Sequence, residues 1–186
     1  MLQTSQPARP AVFLDRDGVI NRSVVVNGKP YPPANLAAME ILPQVPEALE
    51  ALSHAGFLLI VITNQPDVAR GTTSQETVEE IHNHLAHHLP IQAFYACYHL
   101  DEHQCDCRKP APGALLDAAN KHHIDLAQSY MVGDRWRDIE AGQRAGCKTI
   151  FIDYGYDEKQ PTSMNFSVQT LMEATHIILG DRNETR

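Results

Sequence analysis

The sequence is short of positive charge. Its 15 Lys and Arg stand against 23 Asp and Glu, a formal charge of −8. No basic run and no stretch of interleaved aromatics offsets this, so a general affinity for nucleic acid is excluded. It also lacks any apolar run near the roughly 20 residues that a membrane span needs. Met1 to Pro10 is polar, carries one Arg and has no apolar core of signal-peptide length. These absences predict a cytoplasmic chain with no membrane partner. There is no internal repeat, no long linker and no insert of domain size, and nothing implies an obligate protein partner. A chain of 186 residues then suits one domain over 1–186 with a single core.

What is present is an alternation of short apolar runs with helical patterns. Ala11–Leu14, Phe57–Ile62, Ala93–Tyr98, Tyr130–Val132 and Thr149–Ile152 read as strands, and His176–Leu179 as a sixth. Continuous apolar runs suit strands buried on both faces. Pro46, Leu49 and Leu52 mark a helix closed by Gly56. Thr73 and Glu76 have capping-box spacing ahead of Val78, Ile81 and Leu85. Leu115, Leu116 and Ala119 mark a third helix, and Arg135 to Ala145, stopped by Gly146, a fourth. The pattern predicts an α/β three-layer sandwich on a parallel, Rossmann-like sheet. Residues 19–40, with Pro30, Pro32 and Pro33, form the longest irregular stretch and a candidate substrate loop.

Asp15-Arg16-Asp17-Gly18 follows directly on Phe13-Leu14. Ligands of open α/β sheets bind at the carboxyl ends of strands. Two carboxylates there repel unless a cation lies between them, and magnesium prefers oxygen ligands. Asp15, straight off the strand, suits a nucleophile that takes a phosphoryl group; Asp17 suits the general acid/base. Taken alone, the same residues read equally as a solvated Asp-Gly turn.

Four cysteines occur, and three of them cluster with a histidine: Cys97, His99, Cys105 and Cys107, as C-x-H-x5-C-x-C. Three thiols and one imidazole at this spacing make a closed tetrahedral zinc site, structural rather than catalytic. Folding the loop 97–107 around zinc would fix the direction in which Arg108 and Lys109 leave it.

Phe13 to Asn21, FLDRDGVIN, resembles the first signature of the haloacid dehalogenase (HAD) superfamily of phosphatases. Thr63-Asn64-Gln65, Lys109 and Gly133-Asp134 match later signatures in order, so the resemblance spans residues 11–153. It implies a magnesium-dependent phosphatase working through an aspartyl-phosphate. In that reading Thr63 and Lys109 join Asp15 and Asp17 in catalysis, and Asp134 joins Asp15 and Asp17 at the magnesium. Cys105-Asp106-Cys107-Arg108-Lys109-Pro110, with the upstream Cys-x-His, resembles a narrower capless, zinc-bearing group. That group comprises D-glycero-D-manno-heptose 1,7-bisphosphate 7-phosphatases and histidinol-phosphatases. The resemblance implies no cap domain, a small phosphorylated metabolite as partner, and substrate contacts from Asn64, Gln65, Arg108 and Arg135.

Pro66-Asp67 and residues 22–35 depart from the heptose group. A heptose bisphosphate is the leading substrate because extra cations, Arg108 with Arg70 and Arg135, suit two phosphates. Histidinol phosphate is the alternative, its amine suited to an acidic mouth of Asp101, Glu102 and Asp106. An inactive binding protein on the same fold is the third reading. Asp138, one helical turn after Asp134, is placed to hold an Arg, a metal-bound water or Lys109. Trp136 and Arg137 suit the substrate entrance and plain packing equally, and Tyr154 and Tyr156 are placed to border the cleft. His82, His84, His87 and His88 read as a solvated helix face, and Cys147 as a small buried residue.

Overall fold

A computed structural model describes residues 7–184. The strands are β1 (Ala11–Leu14), β2 (Val24–Val26), β3 (Lys29–Tyr31), β4 (Leu58–Asn64), β5 (Ala93–Cys97), β6 (Tyr130–Gly133), β7 (Lys148–Ile152) and β8 (Phe166–Val168). The helices are α1 (Val45–His54), α2 (Asp67–Arg70), α3 (Gln75–His88), α4 (Gly113–His122), α5 (Trp136–Ala145) and α6 (Leu171–Glu184). Six strands form one parallel sheet in the order β5-β4-β1-β6-β7-β8. The strand order reverses beside β1, which places the carboxyl ends of β1, β4 and β6 around one crevice.

The alternation of side chains along each strand explains the two layers of helices. Val12 and Leu14 of β1 pack into a cluster with Leu49 and Leu52 of α1, Ile81 and Leu85 of α3, and Ala174 and Ile178 of α6. Ala11 and Phe13 face the other way, into a cluster with Leu115 and Ala118 of α4 and Ala141 of α5. Every residue of β1 is fully buried, which is why the strand reads as an unbroken apolar run. Fully burying one such side chain is worth about 1.5–3 kcal/mol. The end of β1 is thus a rigid platform for the residues that follow.

Three elements differ from the sequence expectation. His176–Leu179 lies inside α6, where Ala174 and Ile178 bury one helical face; the sixth strand is Phe166–Val168. Ser74, not Thr73, caps α3: its side chain accepts from the Thr77 backbone N–H at 3.1 Å. Residues 19–40 hold an antiparallel hairpin, β2–β3, whose valines are about half exposed. No insert of domain size breaks the sheet order among the described residues. Nor is any described helix long and apolar enough to cross a membrane.

Candidate active site

The crevice at the strand ends is a cleft of about 390 Å³ lined by residues that include Asp15, Asn64, Asp101, Arg108, Lys109, Asp134, Arg135, Arg137 and Asp138. The turn after β1 delivers Asp15. The Arg16 carbonyl accepts from the backbone N–H groups of Ile20, at 2.8 Å, and Asn21, at 3.1 Å. Gly18 makes the turn possible, with φ of +86°. A Cβ there would lie 1.9 Å from Asp134 Oδ2, so only glycine admits the close approach.

At the centre is a fully buried ammonium. Lys109 Nζ donates to Asp15 Oδ1 at 2.9 Å and to the Ile62 carbonyl at 2.6 Å, and pairs with Asp138 Oδ1 at 2.6 Å. Burial opposes its charge, but Asp138 and Asp15 outweigh that and raise its pKa. Asp138 Oδ2 also accepts from the Arg135 backbone N–H at 2.9 Å, capping α5. Gly133 clears space for this carboxylate, since a Cβ there would lie 2.1 Å from the Asp138 Cβ.

Asp15, Asp134 and Asp138 offer oxygens within 4.8 Å of one another. One ammonium does not balance three carboxylates. Burial, opposed by Lys109, pushes the Asp15 carboxyl up to about 6; burial and the Asp15 and Asp138 charges hold Asp134 well above the carboxylate range. Both oxygens of Asp134 are buried without a hydrogen-bond partner. The Tyr156 hydroxyl approaches without reaching hydrogen-bond geometry. Leaving a buried carboxylate unpaired is costly, and a hard divalent cation removes that cost. The donor set therefore fits magnesium.

Asp17 also lines the cleft, with its carboxylate set apart from that cluster. It accepts from Arg16 Nε and Nη2 at 3.1 and 3.0 Å, from Asn21 Nδ2 at 2.9 Å and from Gln65 Nε2 at 2.8 Å. It is absent from the three-carboxylate cluster. Gln65 also donates to Thr63 Oγ1 at 3.0 Å and is buried, so its side chain organises Asp17 and Thr63. Asn64 clamps the lysine backbone: Nδ2 donates to the Lys109 carbonyl at 3.0 Å, and Oδ1 accepts from the Lys109 N–H at 3.1 Å. Arg135 is held by a two-pronged pair with Glu158. Arg108 Nε donates to Asp101 Oδ1 at 2.6 Å.

Cys97, His99, Cys105 and Cys107 converge. The sulfurs lie 3.1, 3.5 and 3.6 Å apart, and His99 Nδ1 is 3.6 Å from Cys97 Sγ and 3.4 Å from Cys107 Sγ. Zinc–sulfur bonds of about 2.3 Å at the tetrahedral angle give sulfurs about 3.8 Å apart. The set fits a closed zinc site. It is tied to the phosphate side of the cleft, for the Gln65 N–H donates to the Cys97 carbonyl at 2.7 Å.

Two residues escaped the sequence reading. Arg16 is fully buried although it lies between two aspartates. Its Nη1 lies 3.2 Å from Nε2 of His82, whose ring stacks on Phe94 at 4.6 Å between centroids. His82 is therefore a buried group, not part of a solvated face. The signal was available, because 78, 81, 82 and 85 are one helical stripe. His84 and His88 remain at the surface side of α3, with their rings 4.2 Å apart. Cys147 is buried.

Fold and site together define a phosphatase of the HAD superfamily, and the HAD-hydrolase-like family model matches residues 106–182. A D-glycero-beta-D-manno-heptose-1,7-bisphosphate 7-phosphatase of Vibrio cholerae is 40 % identical over 157 residues, covering 78 % of this chain and 81 % of that one. Its counterpart in Escherichia coli K12 is 38 % identical over 152 residues, covering 75 % and 76 %. The chain belongs to this heptose bisphosphate phosphatase family. A solved D,D-heptose 1.7-bisphosphate phosphatase from B. bronchiseptica, complexed with magnesium and phosphate, superposes with a TM-score of 0.75. It is 27 % identical, with 92 % of this chain and 99 % of that one covered.

Proposed function

We propose that this enzyme removes the 7-phosphate of D-glycero-D-manno-heptose 1,7-bisphosphate through a phosphorylated Asp15. The observation that carries the mechanism is the buried Lys109, paired with Asp15 and Asp138 beside an Asp134 whose oxygens have no partner. Asp15 and Asp134 would hold magnesium through their carboxylates, with Asp17 as the third ligand expected from the sequence, although its carboxylate is engaged by Arg16, Asn21 and Gln65. When bound, the ion neutralises the carboxylates and the approaching phosphate. The zinc ligands are Cys97, His99, Cys105 and Cys107, and their task is to hold the start of the Arg108-Lys109 segment.

Asp15 Oδ attacks phosphorus, forming an acyl phosphate as the sugar oxygen leaves. Asp17 gives that oxygen its proton and then takes one from the water that hydrolyses the acyl phosphate. Lys109 spreads positive charge over the transferring group and orients Asp15. The Thr63 hydroxyl, fixed by Gln65, faces a phosphate oxygen. The supply of an amine-recognising mouth is weakened in this chain, since Asp101 is already shared by Arg108 and Arg137; this favours the sugar bisphosphate over histidinol phosphate.

The test is phosphate release with magnesium from the heptose bisphosphate, histidinol phosphate and a panel of sugar monophosphates. The heptose bisphosphate should give the highest kcat/KM, with phosphorus NMR showing loss at C7. Faster turnover of histidinol phosphate than of every sugar phosphate would overturn the reading. Asp15→Asn should leave no phosphorylated protein after a rapid quench.

A further inference from the structure

Arg16 stands between two aspartates in the sequence, yet its guanidinium is committed to one of them. Lys109 takes Asp15, and the ion pair of Arg16 is with Asp17. One edge of the guanidinium lies along that carboxylate: Nη2 donates to both oxygens at 3.0 Å, and Nε to Oδ1 at 3.1 Å. Asn21 Nδ2 and Gln65 Nε2 add bonds of 2.9 and 2.8 Å. Asp17 lines the cleft, whereas Arg16 is buried and does not. The arginine therefore backs the carboxylate from the protein side.

A buried guanidinium needs partners for its remaining N–H groups as well. Its far nitrogen, Nη1, lies 3.2 Å from His82 Nε2. Arginine only donates, so this ring nitrogen offers its lone pair and the ring proton sits on Nδ1. The imidazole is itself held. It is buried on α3, and its ring stacks on Phe94 of β5, 4.6 Å between centroids and 20° between planes. Because a guanidinium is planar and rigid, contacts at Nη1 and along the Nε–Nη2 edge fix its plane. A continuous line of contacts thus runs from β5 through His82 and Arg16 to Asp17. His82 does not line the cleft.

We propose that His82 is a positioning residue for the general acid: it holds the Arg16 guanidinium in the plane that orients the Asp17 carboxylate for proton transfer to the leaving oxygen. A general acid works only within hydrogen-bond reach of the oxygen that it protonates, and small displacements are costly. The role has a chemical signature. An alkoxide leaving group must receive a proton as its bond to phosphorus breaks, whereas nitrophenolate is stable enough to leave without one. A misplaced Asp17 therefore slows alkyl phosphates selectively. The inference rests on the phosphatase reading, with Asp17 as acid/base, but not on the identity of the sugar.

The experiment measures kcat/KM, which reports phosphoryl transfer to Asp15, on two esters. One is p-nitrophenyl phosphate; the other is the fastest alkyl phosphate among the heptose bisphosphate, the sugar monophosphates and histidinol phosphate. His82→Leu removes the acceptor for Arg16. It should lower kcat/KM about tenfold on the alkyl phosphate and by no more than about twofold on the aryl ester. His82→Gln, whose amide oxygen can accept from Arg16, should recover most of the alkyl rate. His82→Ser, too short to reach Arg16, should repeat the selective loss and is the variant read if His82→Leu does not fold. Equal losses on the two esters would make His82 a plain structural residue and overturn the proposal. So would an undiminished alkyl rate in the Leu or Ser variant, or a Gln variant that recovers nothing. Native enzyme that hydrolyses no alkyl phosphate with magnesium would remove the phosphatase reading itself, and this inference with it.

Discussion

Asn64 holds the backbone of Lys109 by both ends of its side-chain amide, as a neighbouring strand would. The lysine ammonium is buried at the end of a flexible stem, and its placement against Asp15 depends on where its backbone is fixed. Asn64→Ala removes both bonds and should lower kcat by about 10–100-fold, in the range of a misplaced charge-stabilising group. KM should change little, because both ends of the amide are taken up by the Lys109 backbone. Asn64→Asp keeps the acceptor for the Lys109 N–H and should recover part of the loss. Steady-state kinetics decide it: a pure KM effect would mean that Asn64 contacts substrate instead.

The zinc cluster should act on the same lysine from the other side. Cys107 is two residues before Lys109, and Cys97 ends the strand that pairs with Asn64. Chelating zinc should loosen residues 97–108 and lower turnover while the carboxylates proposed to hold magnesium, which follow β1 and β6, stay in place. Manganese binding, followed by electron paramagnetic resonance, should be within about twofold of the native affinity. Full turnover in zinc-free protein would refute the positioning role.

The parts of this fold legible in the sequence were those where one physical signal dominates. β1 and β4 are buried on both faces, so their apolar runs are unbroken. Phe166–Val168 gave no such run, because it is a three-residue edge strand with an exposed Ser167. The run Ile177-Ile178-Leu179 misled for the opposite reason: a short apolar segment fits a strand or a buried helix equally. At the site, the residue types and their order pointed to the carboxylates and the lysine. What side chains do to one another was not visible. Asn64 and Gln65 read as substrate contacts, yet their amides bind Lys109, Asp17 and Thr63. Asp101 read as an acid suited to an amine, yet it sits between two arginines brought from 7 and 36 residues away.

Gly18 offers a test of the metal pocket that spares every proposed ligand. A methyl group there would overlap Asp134 Oδ2, and the φ of +86° disfavours any side chain. Gly18→Ala should therefore push Asp134 aside, weaken manganese binding at least tenfold and lower the unfolding temperature by several degrees, the shift expected from about 1–2 kcal/mol. Native manganese affinity in a folded Gly18→Ala protein would show that Asp134 does not hold the cation.

The His82 imidazole gives the fold an acid sensitivity of its own. Burial, then the neighbouring Arg16 charge, lower its pKa from 6.5 to about 3, while Asp17 pulls the other way. Neutral, it buttresses the Arg16 guanidinium that holds Asp17. A folded value below the unfolded one means that the unfolded chain takes up the proton first. The stability tied to neutral His82 is thus complete above pH 6.5 and drains away as pH falls from there towards 3. Its slope is at most about 1.4 kcal/mol per pH unit. Between pH 7 and pH 5.5 the native protein should lose on the order of 1 kcal/mol more than His82→Gln, which keeps a polar side chain and cannot titrate. Urea unfolding of both proteins at the two pH values measures the difference, and comparing them cancels the contributions of the zinc ligands and the other histidines. Parallel losses in the two proteins would mean that His82 is solvated and protonates freely in the folded state.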